Sequence, residues 1–177
     1  MKILTRTATR TNRGKNLTLV WGVHDAPAGK ILVARSHEGL CWLGINCGVD
    51  ALQKNWPGAN LIEDTKLTGK TAKEIVQGWK KGFTTLSVPV VLYGTDFQLK
   101  VWKQLLKIKS GATTTYGEIA KKVGSPAAVR AVGSAVGKNT VSVLVPCHRV
   151  INKTGSRINY AWGAKIKTAL LKAEGVF

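Results

Sequence analysis

Cys147 stands in Val145-Pro146-Cys147-His148-Arg149-Val150, a thiol followed directly by an imidazole and a guanidinium. A cysteine ionises at about pH 8.5 and reacts as the thiolate, so at neutral pH it needs a base or a local positive charge. His148 and Arg149 are residues of those two types. The apolar segment Val141 to Val145 predicts a short buried strand before the cysteine, and Ile151-Asn152-Lys153-Thr154-Gly155 predicts a turn after it. On an extended strand neighbouring side chains point to opposite faces, so Cys147 and His148 cooperate only if the chain turns at Pro146 or a water links them. The bland alternative is a tetrapeptide that ends a strand, with His148 hydrogen-bonded in the core.

The elements that must position this stretch are helical. Thr95 to Gln98 reads as a capping box opening a helix with Phe97, Val101, Trp102, Leu105 and Ile108 on its apolar face, ending before Ser110-Gly111. A second box, Thr115 to Glu118, opens a helix with Tyr116, Ile119, Ala120 and Val123 on one side that stops at Gly124. Ser125 with Pro126 then predicts a further helix to about Lys138. Helix, tight glycine turn and helix form a helix-turn-helix pattern. The second helix is unusually bare: Ala127, Ala128, Ala131, Gly133, Ser134, Ala135 and Gly137 surround a single long side chain, Arg130. Base-reading helices present Arg, Asn or Gln to groove edges. Small residues instead permit close backbone approach, either to a shallow groove with Arg130 as a probe or to neighbouring helices.

Upstream, Leu17 to His24, Lys30 to Arg35 and Gly39 to Ile45 predict an antiparallel meander of three strands. A short helix at Val49 to Trp56, closed by Pro57-Gly58, and one at Thr71 to Lys81, opened by a box from Thr71 to Glu74, complete a small α/β unit. The strand-like stretch Phe83 to Tyr93 predicts the connection to the next unit. The expected organisation is a loose basic start at 1–16, an α/β domain at 17–93 and a mostly α domain at 94–177.

The 177 residues are 44% hydrophobic, enough for a buried core, and their net charge is +18. After position 90 there are 14 basic and 3 acidic residues, +11 net; before it, 13 and 6, +7 net. That excess suits a polyanion, of which nucleic acid is the commonest. Three cysteines cannot all pair within one chain, and no secretory segment precedes them, which predicts free thiols in a reducing compartment. Cys41 and Cys47 with His24 and His37 match no zinc spacing and read as core cysteines. No apolar run is long enough to cross a bilayer.

The same residues carry a resemblance. Val145-Pro146-Cys147-His148-Arg149-Val150, preceded by Val129-Arg130-Ala131-Val132-Gly133 and Asn139 and followed by Asn159-Tyr160 and Leu170-Leu171-Lys172-Ala173-Glu174-Gly175, is similar to the 6-O-alkylguanine-DNA alkyltransferase family. The match runs from about Gly94 to Gly175, includes Phe97-Gln98 and Val101-Trp102, and keeps motif order and spacing. The resemblance implies a ribonuclease-H-like first domain and a winged-helix-like helix-turn-helix in the second. It implies that Cys147 takes the alkyl group from guanine once and irreversibly, with no cofactor and no metal. His148 would act as base through water, Glu174 would orient it, Asn139 would brace the turn, and Tyr116 would face the flipped nucleotide and assist protonation of the leaving base. Arg130 would fill the gap in the duplex, with Ala128, Ala131, Ser134 and Thr115 beside it at the minor groove. Pro146, Val150, Tyr160, Ala161 and Trp162 would line the pocket.

The implied partner is double-stranded DNA carrying 6-O-methylguanine or 4-O-methylthymine, bound without sequence preference by a monomer in cytoplasm or nucleus. Thr140 and Ser142 stand where many members have proline, and Trp162 where many have a small residue, a combination similar to the Ada-type branch. A lesion-binding regulator remains as a rival reading, although binding-only paralogues replace the cysteine. A cysteine hydrolase is the other rival, and no second His and Asn or Asp stand at catalytic spacing for it.

Overall fold

A computed structural model describes residues 1–9, 13–81, 86–154 and 160–176. It divides into two compact units, residues 1–95 and 96–177, so the boundary expected after Tyr93 falls two residues later.

The first unit is built on a six-stranded sheet. Its strands are β1 (Ile3–Thr7), β2 (Thr18–Ala26), β3 (Gly29–Ser36), β4 (Gly39–Ile45), β5 (Asn60–Glu63) and β6 (Val90–Gly94), in the order β1-β6-β4-β3-β2-β5. The predicted meander is present: β2 pairs antiparallel with β3, and β3 with β4. The sheet is nevertheless mixed, because β1 and β5 pair parallel with β6 and β2. This corrects both the three-stranded sheet and the loose start. Ile3–Thr7 is an edge strand recruited by a partner more than eighty residues away, a pairing that no local pattern announces. Every residue of β4 is buried, as its uninterrupted apolar run GLCWLGI requires of a strand covered on both faces. Gly39 begins β4 at φ +145, and a Cβ there would lie 2.2 Å from the carbonyl oxygen of Pro89.

Helix α1 (Val49–Asn55) matches expectation, whereas α2 (Thr65–Lys81) starts six residues earlier than predicted. The reason is a competing cap: the Leu67 N–H donates to Asp64 Oδ1 at 2.8 Å, which satisfies the first turn. Thr71 is therefore interior, buried, and accepts from Arg35 Nη1, while Glu74 accepts from the backbone of Ser87. Of the predicted stretch from Phe83, residues 83–85 lie outside the described residues, and the strand proper is β6.

The second unit carries α3 (Asp96–Leu105), α4 (Tyr116–Lys122), α5 (Val129–Gly137) and α6 (Ala164–Ala173), with short strands β7 (Thr114–Thr115) and β8 (Val150–Ile151) paired in parallel. Helix α3 is shorter than predicted: it buries Gln98, Leu99, Val101, Trp102 and Leu105, while Phe97 and Ile108 stay partly exposed. Trp102 Nε1 donates to the Ala135 carbonyl at 2.8 Å and ties α3 to α5. The box on α4 is real, with Thr115 and Glu118 exchanging both capping bonds. Gly124 at φ +78 ends that helix, and the Ser125 N–H reaches back to the Ala120 carbonyl. Ser125 does not cap α5. Residues 125–128 close a separate turn, Ala128 N–H to Ser125 O, and the helix starts at Val129 with Ala128 at its N-cap.

The predicted strand Val141 to Val145 is also corrected. All five residues are buried, but only Val141 bridges; residues 142–144 form turns, with Val143 at φ +68. A β-branched residue in that region is strained by about 1–3 kcal/mol, so surrounding bonds must hold it.

Candidate active site

Those bonds come from Asn139. Its Nδ2 donates to the Val145 carbonyl at 2.8 Å and its Oδ1 accepts from the Val141 N–H at 3.1 Å, so one buried amide staples both ends of the turn. The same Nδ2 lies 3.1 Å from Cys147 Sγ. Pro146, at φ −80 and ψ 64, then leads into one 3₁₀ turn, Cys147–Arg149. The chain does turn at Pro146, and the alternating strand geometry that would have separated Cys147 from His148 is absent.

Cys147 is 7% exposed and lines a cavity of about 220 Å³ with Tyr116, Gly133, Asn139, Ser142, Tyr160 and Ala161. Burial raises the thiol above its usual range, while the Asn139 N–H and the charge of Lys167 act in the opposite direction. Tyr160 turns its hydroxyl inward towards Ser142 and Cys147, where burial pushes it well above the usual phenol range. Tyr116 is half-buried and raised by burial and then by the neighbouring Cys147.

His148 is fully buried behind the nucleophile. Its Nε2 lies 3.0 Å from Glu174 Oε1, and its Nδ1 is buried without a hydrogen-bond partner. Burial lowers its pKa, outweighing the pull of Glu174, and therefore favours neutral imidazole. Arg149 grips the same carboxylate with two bonds, Nε to Oε2 at 2.9 Å and Nη2 to Oε1 at 2.8 Å, and also donates to the Ile108 carbonyl. Burial would raise Glu174, but the bonds from His148 and Arg149 override it and hold the carboxyl at about 2. The carboxylate at the end of α6 is thus ionised at any working pH and fixes the imidazole through one ring nitrogen.

The remaining candidates fall into two groups. On α5, Arg130, Ala131 and Ser134 are exposed, Ala128 is partly so, and none lines the cavity around Cys147. Thr115 serves as the cap of α4. Val150 is buried and begins β8, and Pro146 is buried before the turn. Trp162 does not line the cavity, but it donates from Nε1 to Oγ of Ser142, which does, at 2.5 Å, so two positions that depart from the common pattern are bonded to each other. Asn159 and Gly155 lie outside the described residues. All three cysteines are free, and among the described residues no three His, Cys, Asp or Glu side chains are grouped as metal ligands. Among the same residues no helix is long and apolar enough to cross a membrane.

Residues 96–176 match the family model described as 6-O-methylguanine DNA methyltransferase, DNA binding domain. The chain is 42% identical over 165 residues to the inducible methylated-DNA–protein-cysteine methyltransferase of Bacillus subtilis, an alignment covering 89% of this chain and 90% of that one. The chain belongs to the methylated-DNA–protein-cysteine methyltransferase family. It is also 35% identical to the Methanosarcina acetivorans member, covering 89% of this chain and 99% of that one. The crystal structure of the Mycobacterium tuberculosis O6-methylguanine methyltransferase superposes with a TM-score of 0.74 at 35% identity, over 88% of this chain and 92% of that one.

One residue of this methyltransferase site escaped the sequence reading. Lys167 on α6 is 1% exposed and donates from Nζ to the Val150 carbonyl at 2.6 Å. In a segment with three lysines among eight residues, 165–172, it carries no distinguishing mark. Its i, i+3, i+4 relation to Leu170 and Leu171, both buried, was the available signal.

Proposed function

We propose that the chain repairs duplex DNA by moving the alkyl group of 6-O-methylguanine onto Cys147 Sγ, once per molecule. The observation that carries this reading is a single cysteine on the wall of a nucleobase-scale cavity, braced by Asn139 and backed by a neutral His148 fixed to Glu174. Attack at a saturated carbon suits a soft thiolate. The thiol proton leaves towards the unpartnered Nδ1 of His148 through a water. The sulfur-carbon bond forms as the carbon-oxygen bond breaks, and the electron pair passes into the guanine ring, which takes up a proton with help from the Tyr116 hydroxyl. The product is a thioether, which no residue of the site can reverse.

The approach to DNA follows from the second unit. Helices α4 and α5 act as a helix-turn-helix of winged-helix type, with the small residues Ala128, Ala131 and Ser134 letting α5 enter the minor groove. The exposed Arg130 occupies the space left by the extruded base. Phosphate contacts by the basic surface give affinity without sequence preference, so recognition of 6-O-methylguanine, and of 4-O-methylthymine, lies in the pocket. The first unit is of ribonuclease-H-like plan, and the protein acts as a monomer wherever the cell keeps its DNA, in cytoplasm or nucleus. The Trp162–Ser142 bond holds the indole against a residue that lines the cavity, which favours methyl over bulky groups, and the pair of residues is similar to the Ada-type branch.

Incubation with methylguanine duplex followed by intact-mass measurement tests the chemistry. One methyl-sized gain, absent in Cys147→Ala, is expected; turnover beyond one equivalent, or no gain, overturns it. Arg130→Ala should slow repair of duplex more than reaction with the free modified base. Equal losses on both would remove the wedge from the account.

A further inference from the structure

Helix α2 of the first unit carries a row of charge that its own fold does not use. Lys66, Lys70, Lys73 and Gln77 recur at the i, i+4, i+7, i+11 spacing that keeps side chains on one helix face, and all four are exposed. At 1.5 Å per residue the row is about 16 Å long. The opposite face is Thr68, Thr71, Ala72 and Ile75, all buried, and it packs on β2 and β3. Lys66 stands in a first turn that holds no acidic residue, where the helix dipole disfavours a cation. Lysines three and four apart also repel each other. The row is therefore unfavourable to the helix that bears it.

The carboxylates of the unit do not neutralise it. Among the described residues no ion pair involves Lys66, Lys70 or Lys73. Asp64 Oδ1 accepts from the Leu67 N–H, and Glu74 Oε2 from the Ser87 N–H. Glu63 is in register with Trp21 and points to the sheet face away from α2, because the next residue, Gly22, is the one that faces Thr65 and Thr68 of that helix. Asp25 and Glu38 are paired with Lys30 and Arg6, and Asp50 sits in the first turn of α1. We propose that this face of α2 is a contact surface for the phosphate backbone of duplex DNA, in the first unit and separate from the helix-turn-helix. A duplex presents one negative charge per about 1.7 Å of its axis, so three ammonium groups spread over about 10 Å meet several charges whatever the base sequence. Gln77 extends the row with an amide that can donate to a phosphate oxygen. An anionic membrane is the poorer match: an interfacial helix turns its apolar face to the lipid, and that face of α2 is buried in its own unit. The surface adds affinity without base selectivity and leaves the chemistry at Cys147 unchanged.

The salt dependence of binding separates this surface from the general charge of the protein. Fluorescence anisotropy of the full chain with an undamaged labelled duplex gives the slope of log Kobs against log salt concentration. Lys66→Gln, Lys70→Gln and Lys73→Gln combined should make that slope shallower by roughly 2 to 3, since each neutralised phosphate contributes about 0.9. Lys2→Gln, Lys15→Gln and Lys54→Gln combined remove the same charge from exposed positions elsewhere in the unit and should change it by less than about 1. Arginine at positions 66, 70 and 73 should keep the wild-type slope. Equal changes in the two glutamine variants, or no change in the α2 variant, overturn the proposal. So does an α2 variant that loses binding to phosphatidylserine vesicles while its DNA slope stays as in wild type. Methyl uptake from the free modified base should be the same in every variant. A protein that takes up no methyl group would overturn the reading of Cys147, and the slopes would still decide the role of α2.

Discussion

The molecule holds two buried cysteines that differ in everything except burial. Cys41, in the middle of β4, has no solvent exposure, donates to the Ala34 carbonyl and is pushed up to about 12 by burial among apolar strands. Cys147 is nearly as buried, but it sits where regular structure has been suspended: a strained turn, a 3₁₀ turn and two strand residues, held by the side chains of Asn139 and Lys167. A sheet satisfies its backbone with backbone and offers the Cys41 thiol only a main-chain carbonyl. A turn must satisfy its backbone with side chains, and one of them, Asn139, also reaches the sulfur. The lesson is that polar bracing, and not accessibility, separates a nucleophile from a core residue.

The sharpest way to break this contrast is to exchange the two thiols' fates. Cys147→Ala should abolish methyl uptake in an intact-mass assay, whereas Cys41→Ala should retain one equivalent and lose about 1 kcal/mol in urea denaturation. Methyl transfer to Cys41 in the Cys147→Ala protein would erase the distinction.

Removing the brace should be the next largest effect. Asn139→Ala frees the Val145 carbonyl and the Val141 N–H inside the core, which costs roughly 2–4 kcal/mol. Displacement of the sulfur should slow transfer by roughly a hundredfold in single-turnover kinetics. Retention of rate in a destabilised protein would mean that Asn139 supports the turn without placing the thiol.

A third expectation concerns pH. The folded pKa of Glu174, about 2, lies below its ordinary value of 4.5, so its contribution is complete above 4.5 and is lost as pH falls towards 2. Lowered by burial, His148 adds to acid sensitivity, because the unfolded chain takes up its proton first as pH falls through 6.5. Glu174→Gln should therefore be less stable than wild type by on the order of 2 kcal/mol near neutrality, with the gap closing below pH 4.5. A gap that stays constant down to pH 2 would show that the carboxylate's charge is not what holds His148 and Arg149. The smallest expected effect is beside the cavity. Trp162→Ala should raise the rate with benzyl-bearing guanine relative to methylguanine by roughly tenfold, and an unchanged ratio would separate the Trp162–Ser142 bond from substrate choice.

Much of this could be read from residue types and spacing. Three strands of the meander, the cap of α4 and its glycine stop follow local rules and stand as expected. Errors gathered wherever two local signals competed, as at Asp64 against Thr71 for the start of α2, or where a good cap sequence closed only a turn, as at Ser125. The parallel edge strands β1 and β5 gave no signal because their pairing is non-local.

What the sequence alone supplied is the candidate chemistry: Cys147 and His148 stand out by type and adjacency, and the family resemblance adds Asn139 and Glu174 by motif order. What only the tertiary structure decided is how they meet. Val141 to Val145 reads as a strand because its residues are apolar and β-branched, yet the Asn139 side chain outcompetes a ladder and folds it into a turn. Lys167 reads as one more surface lysine, yet α6 rotates it inward onto the Val150 carbonyl. Both outcomes depend on partners far from the local window, and burial strengthens such bonds beyond anything a sequence-local preference can oppose.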